Sequence, residues 1–238
     1  MRITFSQLSD PGPRAVNEDS LDCWVASSGE TVAAVADGLG GMGGGDNASK
    51  LAILEFRRHL EKFGITEDSM KKGALEAHQA IREAQIKGDG FKRMATTLTA
   101  VALSNERILG VHCGDSRAAI ASDKGIRRLS KDHSEGQRLF DAGKLTKEEL
   151  STYERKHILE SALGDQNEPI IDNFNFDLQA GDRVLLTTDG VHNIVMIREM
   201  QELASTSSTA SELTSRVAVA VENIGPSDNF SMVALYAD

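Results

Sequence analysis

Apolar residues along the chain gather in short runs rich in valine, isoleucine, leucine and alanine, mostly separated by brief polar turns. Such runs predict buried strands, at about 3–8, 20–27, 31–36, 97–104, 107–113, 116–121, 125–129, 170–178, 182–188 and 230–236. Turns as short as Asn105-Glu106 and Asp123-Lys124-Gly125 join consecutive runs as antiparallel hairpins. Between the strand blocks the period changes. Over about 46–63, Ala48, Leu51, Ile53, Leu54, Phe56 and Leu60 form the stripe of an amphipathic helix, and further helices are expected at about 67–86 and 209–223. Strands in blocks and helices in blocks predict an α+β layered fold, not a doubly wound parallel sheet. One polar, helix-prone segment, about 131–165, interrupts the strands and reads as an inserted flap. No repeat, low-complexity tract or long linker divides the chain, so residues 1–238 are expected to form a single domain with the flap as a subdomain.

Composition narrows the function without naming it. With 36 acidic and 26 basic residues the net charge is −10, and no basic stripe offers itself to a nucleic acid. The two cysteines, Cys23 and Cys113, are far apart and suggest no disulfide framework, which fits a reducing compartment. No apolar stretch is long enough to cross a membrane and the opening residues lack the core of a signal peptide, so a cytoplasmic protein is expected.

The chemistry sits where strands end. VAAVADG delivers Asp37-Gly38, GVHCGDS delivers Gly114-Asp115, RVLLTTDG delivers Asp189-Gly190, and Asp228 precedes the last apolar run. Carboxylates converging on one cleft repel unless cations neutralise them, and an all-oxygen donor set suits Mg²⁺ or Mn²⁺. Arg14, in RAVNED, offers a forked cation for phosphate, with Glu18 and Asp19 close behind. Two other motifs are decoys. The stretch from Gly38 to Gly45 satisfies G-x-G-x-x-G, but Asp37 stands where a pyrophosphate would approach and no second parallel strand follows. Cys113 and Arg117 are separated by three residues, too few to wrap a phosphate around a nucleophilic cysteine, and Cys113 alternates with core positions.

Taken in order, RAVNED, VADGLGGMGGG, ATTLTAV, GDSRAAI, LSKDHS, LGD, LLTTDG and SDNFS resemble the metal-dependent protein phosphatases of the protein phosphatase 2C type, over Arg14 to Ser231. The resemblance implies a four-layer αββα sandwich: two antiparallel sheets flanked by helix pairs, with a helical flap. It also implies a centre of two Mn²⁺ or Mg²⁺ ions. By position, Asp37 would bridge them, the Gly38 carbonyl would complete one sphere, Asp189 and Asp228 would serve the first ion and Glu18 the second, and Asp19 would act through water. Asp115 with Asp189 would hold a third, weaker ion. Arg14 would bind the substrate phosphate, while Thr97, Asn229 and His133 would orient or pack.

The implied activity is hydrolysis of phosphoserine and phosphothreonine in proteins by metal-activated water, opposing a bacterial Ser/Thr kinase, in a monomeric enzyme that binds neither nucleic acid nor membrane. The alternatives are a catalytically silent phosphoprotein-binding module and a hydrolase of small phosphoesters. The chain departs from the pattern at Leu39, where animal-type members carry a histidine that could act as general acid. It departs again at Glu160 and Ser161, where many relatives place threonine and arginine.

Overall fold

The computed structural model describes residues 1–40, 43–88 and 93–238. Gly41 and Met42, part of the glycine-rich stretch, lie outside the described residues.

Ten strands form two five-stranded antiparallel sheets. One sheet contains β1 (Ile3–Asp10), β8 (Arg117–Ser122), β9 (Gly125–Arg128), β11 (Arg183–Thr187) and β12 (Phe230–Ala237), in the order β1-β12-β11-β8-β9. The other contains β2 (Ser20–Val25), β3 (Thr31–Ala36), β6 (Leu98–Leu103), β7 (Arg107–Cys113) and β10 (Asp172–Asp177), in the order β10-β7-β6-β3-β2. A separate two-residue pair joins β4 (Gly38–Leu39) to β5 (Ala95–Thr96). The sheets face each other across a layer that includes Val35, Val101, Leu103, Ile108, Leu186, Val233 and Leu235, all buried.

Helices cover the outer faces. Helices α1 (Gly45–Phe63) and α2 (Glu67–Lys87) pack on the second sheet, burying Ala48, Ala52, Phe56 and Leu60 against Met70, Ala74, Ala77 and Ile81. These residues recur every three or four positions, so each helix turns one apolar stripe inward. On the first sheet, α6 (Ile197–Thr206) and α7 (Ala210–Ile224) bury Met200, Ala204, Leu213, Val217 and Val221. Thr66 and Thr209 cap α2 and α7, their hydroxyls accepting from the N–H groups of Ser69 and Glu212. The α+β layering is what the sequence pattern predicted, and the four layers are those the family resemblance implied. Helix α6 was not predicted, nor were β4 and β5.

The flap holds α3 (Glu135–Asp141) and α4 (Lys147–Thr152), and a short helix, α5 (Asp189–His192), follows β11. The flap is tied down at its base. Thr96 and Leu163 exchange backbone hydrogen bonds, and Gln85 on α2 donates to the carbonyls of Met94 and Gly164, both at 2.7 Å. Glu160 accepts from Arg138 at 2.7 Å, and the Ser161 hydroxyl accepts from the Ile170 N–H at 2.8 Å. The two residues that depart from the family pattern are thus bound within the flap and its base.

Candidate metal centre

Register places the acidic corners at one end of the sandwich. Ala36 pairs with Ser20, so Asp37 leaves β3 beside Asp19 as the chain enters β2. In the facing sheet Thr187 pairs with Arg117 on one side and Met232 on the other. The residues just beyond them, Asp189, Asp115 and Asp228, therefore emerge together. All six carboxylates singled out in the sequence, Glu18, Asp19, Asp37, Asp115, Asp189 and Asp228, gather here, as do Arg14 and Gly38.

Their electrostatics show how close they stand. Burial, and then the charges of Asp19, Asp189, Asp115 and Asp228, push the Asp37 carboxyl well above the usual carboxylate range. Burial pushes Asp115 up to about 7, reinforced by Asp189. Asp19 rises to about 6, again through burial first, although hydroxyls of Ser231 and Thr188 oppose the shift. Asp189 is raised by burial and by Asp228, while its contact with the Asp37 carboxyl opposes the shift. Glu18 is raised by burial, while a hydrogen bond from the Gly45 backbone opposes the shift.

Several neutral groups aim these acids. The Asp37 N–H donates to Thr97 Oγ1 at 2.9 Å, and the Glu18 N–H donates to Asn229 Oδ1 at 2.8 Å. Thr188 Oγ1 donates to Asp19 Oδ2 at 2.8 Å, and Asn193 Nδ2 to Asp189 Oδ2 at 3.3 Å. Sequence reasoning expected orienting roles for Thr97 and Asn229 and missed those of Thr188 and Asn193, since each depends on a partner remote in sequence or on a short helix it did not foresee. His133 is structural, as expected: its Nδ1 accepts from the Gly114 N–H at 3.2 Å and its Nε2 lies 3.2 Å from Asp172. Cys113 is a core residue whose thiol burial pushes up to about 12, which removes it as a nucleophile.

The glycine-rich stretch acquires a physical reason. A side chain at Gly38 would run into the backbone oxygens of Gly45 and Glu18, and one at Gly40 or Gly45 would stand 2.7 Å from Glu18 Oε1. The backbone wraps the Glu18 carboxylate too closely for any Cβ. Gly38→Ala is therefore expected to displace Glu18 and lower the melting temperature by about 5 °C or more, since the clash is with backbone that cannot swing aside. A thermal melt of the variant matching the parent would refute this packing.

Does a divalent cation suit these residues? Among the described residues no three acidic, imidazole or thiol groups already stand in coordinating geometry. Arg14 Nη2 instead donates to Asp228 Oδ2 at 2.9 Å, a solvent-exposed pair that costs little to break. The donor set is nonetheless all oxygen, and its members are partly or wholly withdrawn from solvent, mutually repulsive and short of positive charge. A hard divalent cation relieves each of these strains, and the residues fit it.

Comparison with known proteins agrees with this geometry. Residues 13–224 match the Protein phosphatase 2C family. The chain is 27% identical to the protein phosphatase PhpP of Streptococcus pneumoniae over 97% of this chain and 96% of that protein. It superposes on the serine/threonine phosphatase of S. agalactiae with a TM-score of 0.92 at 26% identity, covering 100% of both chains. The catalytic domain of the phosphatase PstP, solved with two manganese ions, superposes with a TM-score of 0.85 at 29% identity over 99% of each chain.

Proposed function

Because the chain belongs to the protein phosphatase 2C family, a family of metal-dependent protein serine/threonine phosphatases, we propose that it hydrolyses phosphoserine and phosphothreonine at the carboxylate cluster. The observation that carries the assignment to this site is the convergence of Asp19, Asp37, Asp115, Asp189 and Asp228 at one end of the sandwich, set by strand register, with the mutual repulsion that raises Asp19, Asp37, Asp115 and Asp189 in support. In this reading Asp37, Asp189 and Asp228 would hold one Mn²⁺ or Mg²⁺, and Asp37, Glu18 and the Gly38 carbonyl would serve a second. Asp19 acts through water, and Asp115 with Asp189 takes a third, weaker ion. When bound, such ions lower the pKa of a coordinated water to near neutrality and neutralise phosphoryl oxygens.

The protein's own groups orient the reaction. Arg14, released from Asp228, presents a bidentate fork to the substrate phosphate, holding it for in-line attack. Thr97, Thr188 and Asn229 keep the acids from swinging as charge redistributes. Leu39 has no ionisable group, so it supplies no proton to the leaving alkoxide.

We read the whole chain, 1–238, as one catalytic domain with its flap at 131–165, working as a cytoplasmic monomer against a Ser/Thr kinase. The buried free thiols of Cys23 and Cys113 favour a reducing compartment, and the charge of −10 disfavours self-association. No helix among the described residues is long and apolar enough to cross a membrane.

The test is phosphate release from a phosphothreonine peptide and from a small phosphoester, each with Mn²⁺ and with EDTA. Mn²⁺-dependent release from the peptide is expected, with EDTA removing it. Turnover confined to the small phosphoester would support the alternative hydrolase, and no turnover with Mn²⁺ would support the silent module.

A further inference from the structure

Between the flap and the first sheet lies a cavity of about 290 Å³. It is bounded by Asp115 and Asn193, beside the carboxylate centre, and by Ser151 and Lys156 on the flap. The space is on the order of ten waters' share of liquid volume, enough for one side chain bearing a carboxylate or a phosphate.

The lining is cationic in a strongly acidic protein. Arg117 Nη2 donates to Asp132 Oδ2 at 2.7 Å, and Arg128 donates to the other oxygen of the same carboxylate. Two guanidiniums thus share one counterion, which leaves one positive charge uncompensated. Burial alone would raise Asp132, yet the two arginines hold its carboxyl below the usual range, so the counterion stays ionised. Arg128 Nε is buried with no partner among the described residues. Lys156 adds a third cation, positioned by a 2.7 Å hydrogen bond from Nζ to the Ser151 carbonyl. The other carboxylate lining the cavity, Asp115, belongs to the proposed metal centre.

A net charge of −10 would repel acidic peptides from most of the surface. Cations concentrated at the side of the active centre are therefore placed against the trend of the whole molecule. A residue two positions along an extended peptide lies about 7 Å away, so a phosphoresidue at the centre sets its near neighbours in this cavity. We propose that the cavity is a second anion subsite. It takes the carboxylate or second phosphate of a residue flanking the phosphoserine or phosphothreonine, with Lys156 as the cation that reads it. The proposal rests on the phosphatase assignment above and adds the substrate class that the site prefers.

Three phosphothreonine peptides of one length test it: neutral flanks, glutamate within two residues on either side, and a second phosphothreonine in that place. The intact enzyme with Mn²⁺ should favour both anionic peptides over the neutral one by about fivefold or more in kcat/KM, through KM, with the preference shrinking as salt rises. Lys156→Gln keeps the aliphatic stem and should collapse the ratio towards one by raising KM for the anionic peptides, with little change in kcat. Lys156→Arg should restore the preference. Equal kcat/KM for the three peptides in the intact enzyme, or a preference that survives Lys156→Gln, would overturn the subsite and leave the phosphatase assignment standing. A preference for one anionic peptide alone decides between carboxylate and phosphate as the group read. Absence of turnover on all three peptides would instead strike the assignment itself.

Discussion

Asp37→Asn is expected to cut Mn²⁺-dependent turnover of a phosphothreonine peptide by well over a hundredfold while raising the melting temperature of the metal-free protein. The two effects share one cause. Asp37 is the most deeply perturbed carboxyl of the cluster, raised by its burial and by four neighbouring aspartates. Near pH 7 in EDTA the folded protein must keep this group protonated or suffer the repulsion, whereas the unfolded chain ionises it freely. Each pKa unit between the two states amounts to about 1.4 kcal/mol. Asparagine has the same shape, carries no charge, and can donate its amide to the neighbouring Asp189 carboxylate. The gain should be several degrees, since about 1 kcal/mol shifts the melting temperature of a domain this size by about 2–4 °C. The loss of activity follows because Asp37 is the proposed shared ligand. Changing even an outer-shell partner of a metal typically costs 10–100-fold, and a shared ligand should cost more. Peptide turnover within tenfold of the parent would remove Asp37 from the centre. A metal-free melting temperature below the parent's would show that its carboxyl does not destabilise the fold.

Much of this was legible before any fold was known. The strands could be read because β-branched runs bounded by turns have few alternatives, and α1 because its apolar residues keep a helical period. Helix α6 escaped because Met200 and Ala204, its buried residues, make too thin a stripe within IREMQELAST. The β4–β5 pair escaped because two residues carry no period at all; it exists because Gly38 lies flat against Thr96. The acidic corners were visible because an aspartate ending an apolar run is badly placed for packing. What aims them was visible only in part: orienting roles were expected for Thr97 and Asn229, but not that Asn229 reaches Glu18 across 211 positions, nor that Thr188 reaches Asp19 across 169. Nor could sequence show that Arg14 closes on Asp228, or that Gly40 and Gly45 are required by the Glu18 carboxylate and Gly38 by the backbone of Glu18 and Gly45, rather than by a nucleotide.

In EDTA the stability of the protein should fall as pH rises from 7 to 8.5, and Mn²⁺ should abolish that fall. A carboxyl whose pKa is raised by folding favours the folded state at low pH and loses that contribution as pH climbs through its folded value. Asp115, at about 7, and Asp37, well above the usual range, both titrate this way. Histidines act in the opposite direction. Burial lowers His112 to about 4 and holds His192 well below its usual value, so the unfolded chain takes up those protons as pH drops below 6.5. Below about 6.5 the two sets oppose each other; above 7 the histidines are neutral in both states and the carboxyls act alone. The thiols of Cys23 and Cys113, pushed to about 12, would add a loss of the same sign, but only as their unfolded counterparts ionise near 9. The window from 7 to 8.5 therefore isolates the acidic cluster. For each proton held by the folded state alone, the slope is about 1.4 kcal/mol per pH unit, or about 3–5 °C. Thermal melts across this window should show that slope in EDTA, a flatter one for Asp37→Asn, and none with Mn²⁺, which replaces the protons. A metal-free melting temperature that stays level or climbs from pH 7 to 8.5 would mean that these carboxyls do not repel one another, and the case for cations at this end of the sandwich would lose its electrostatic basis.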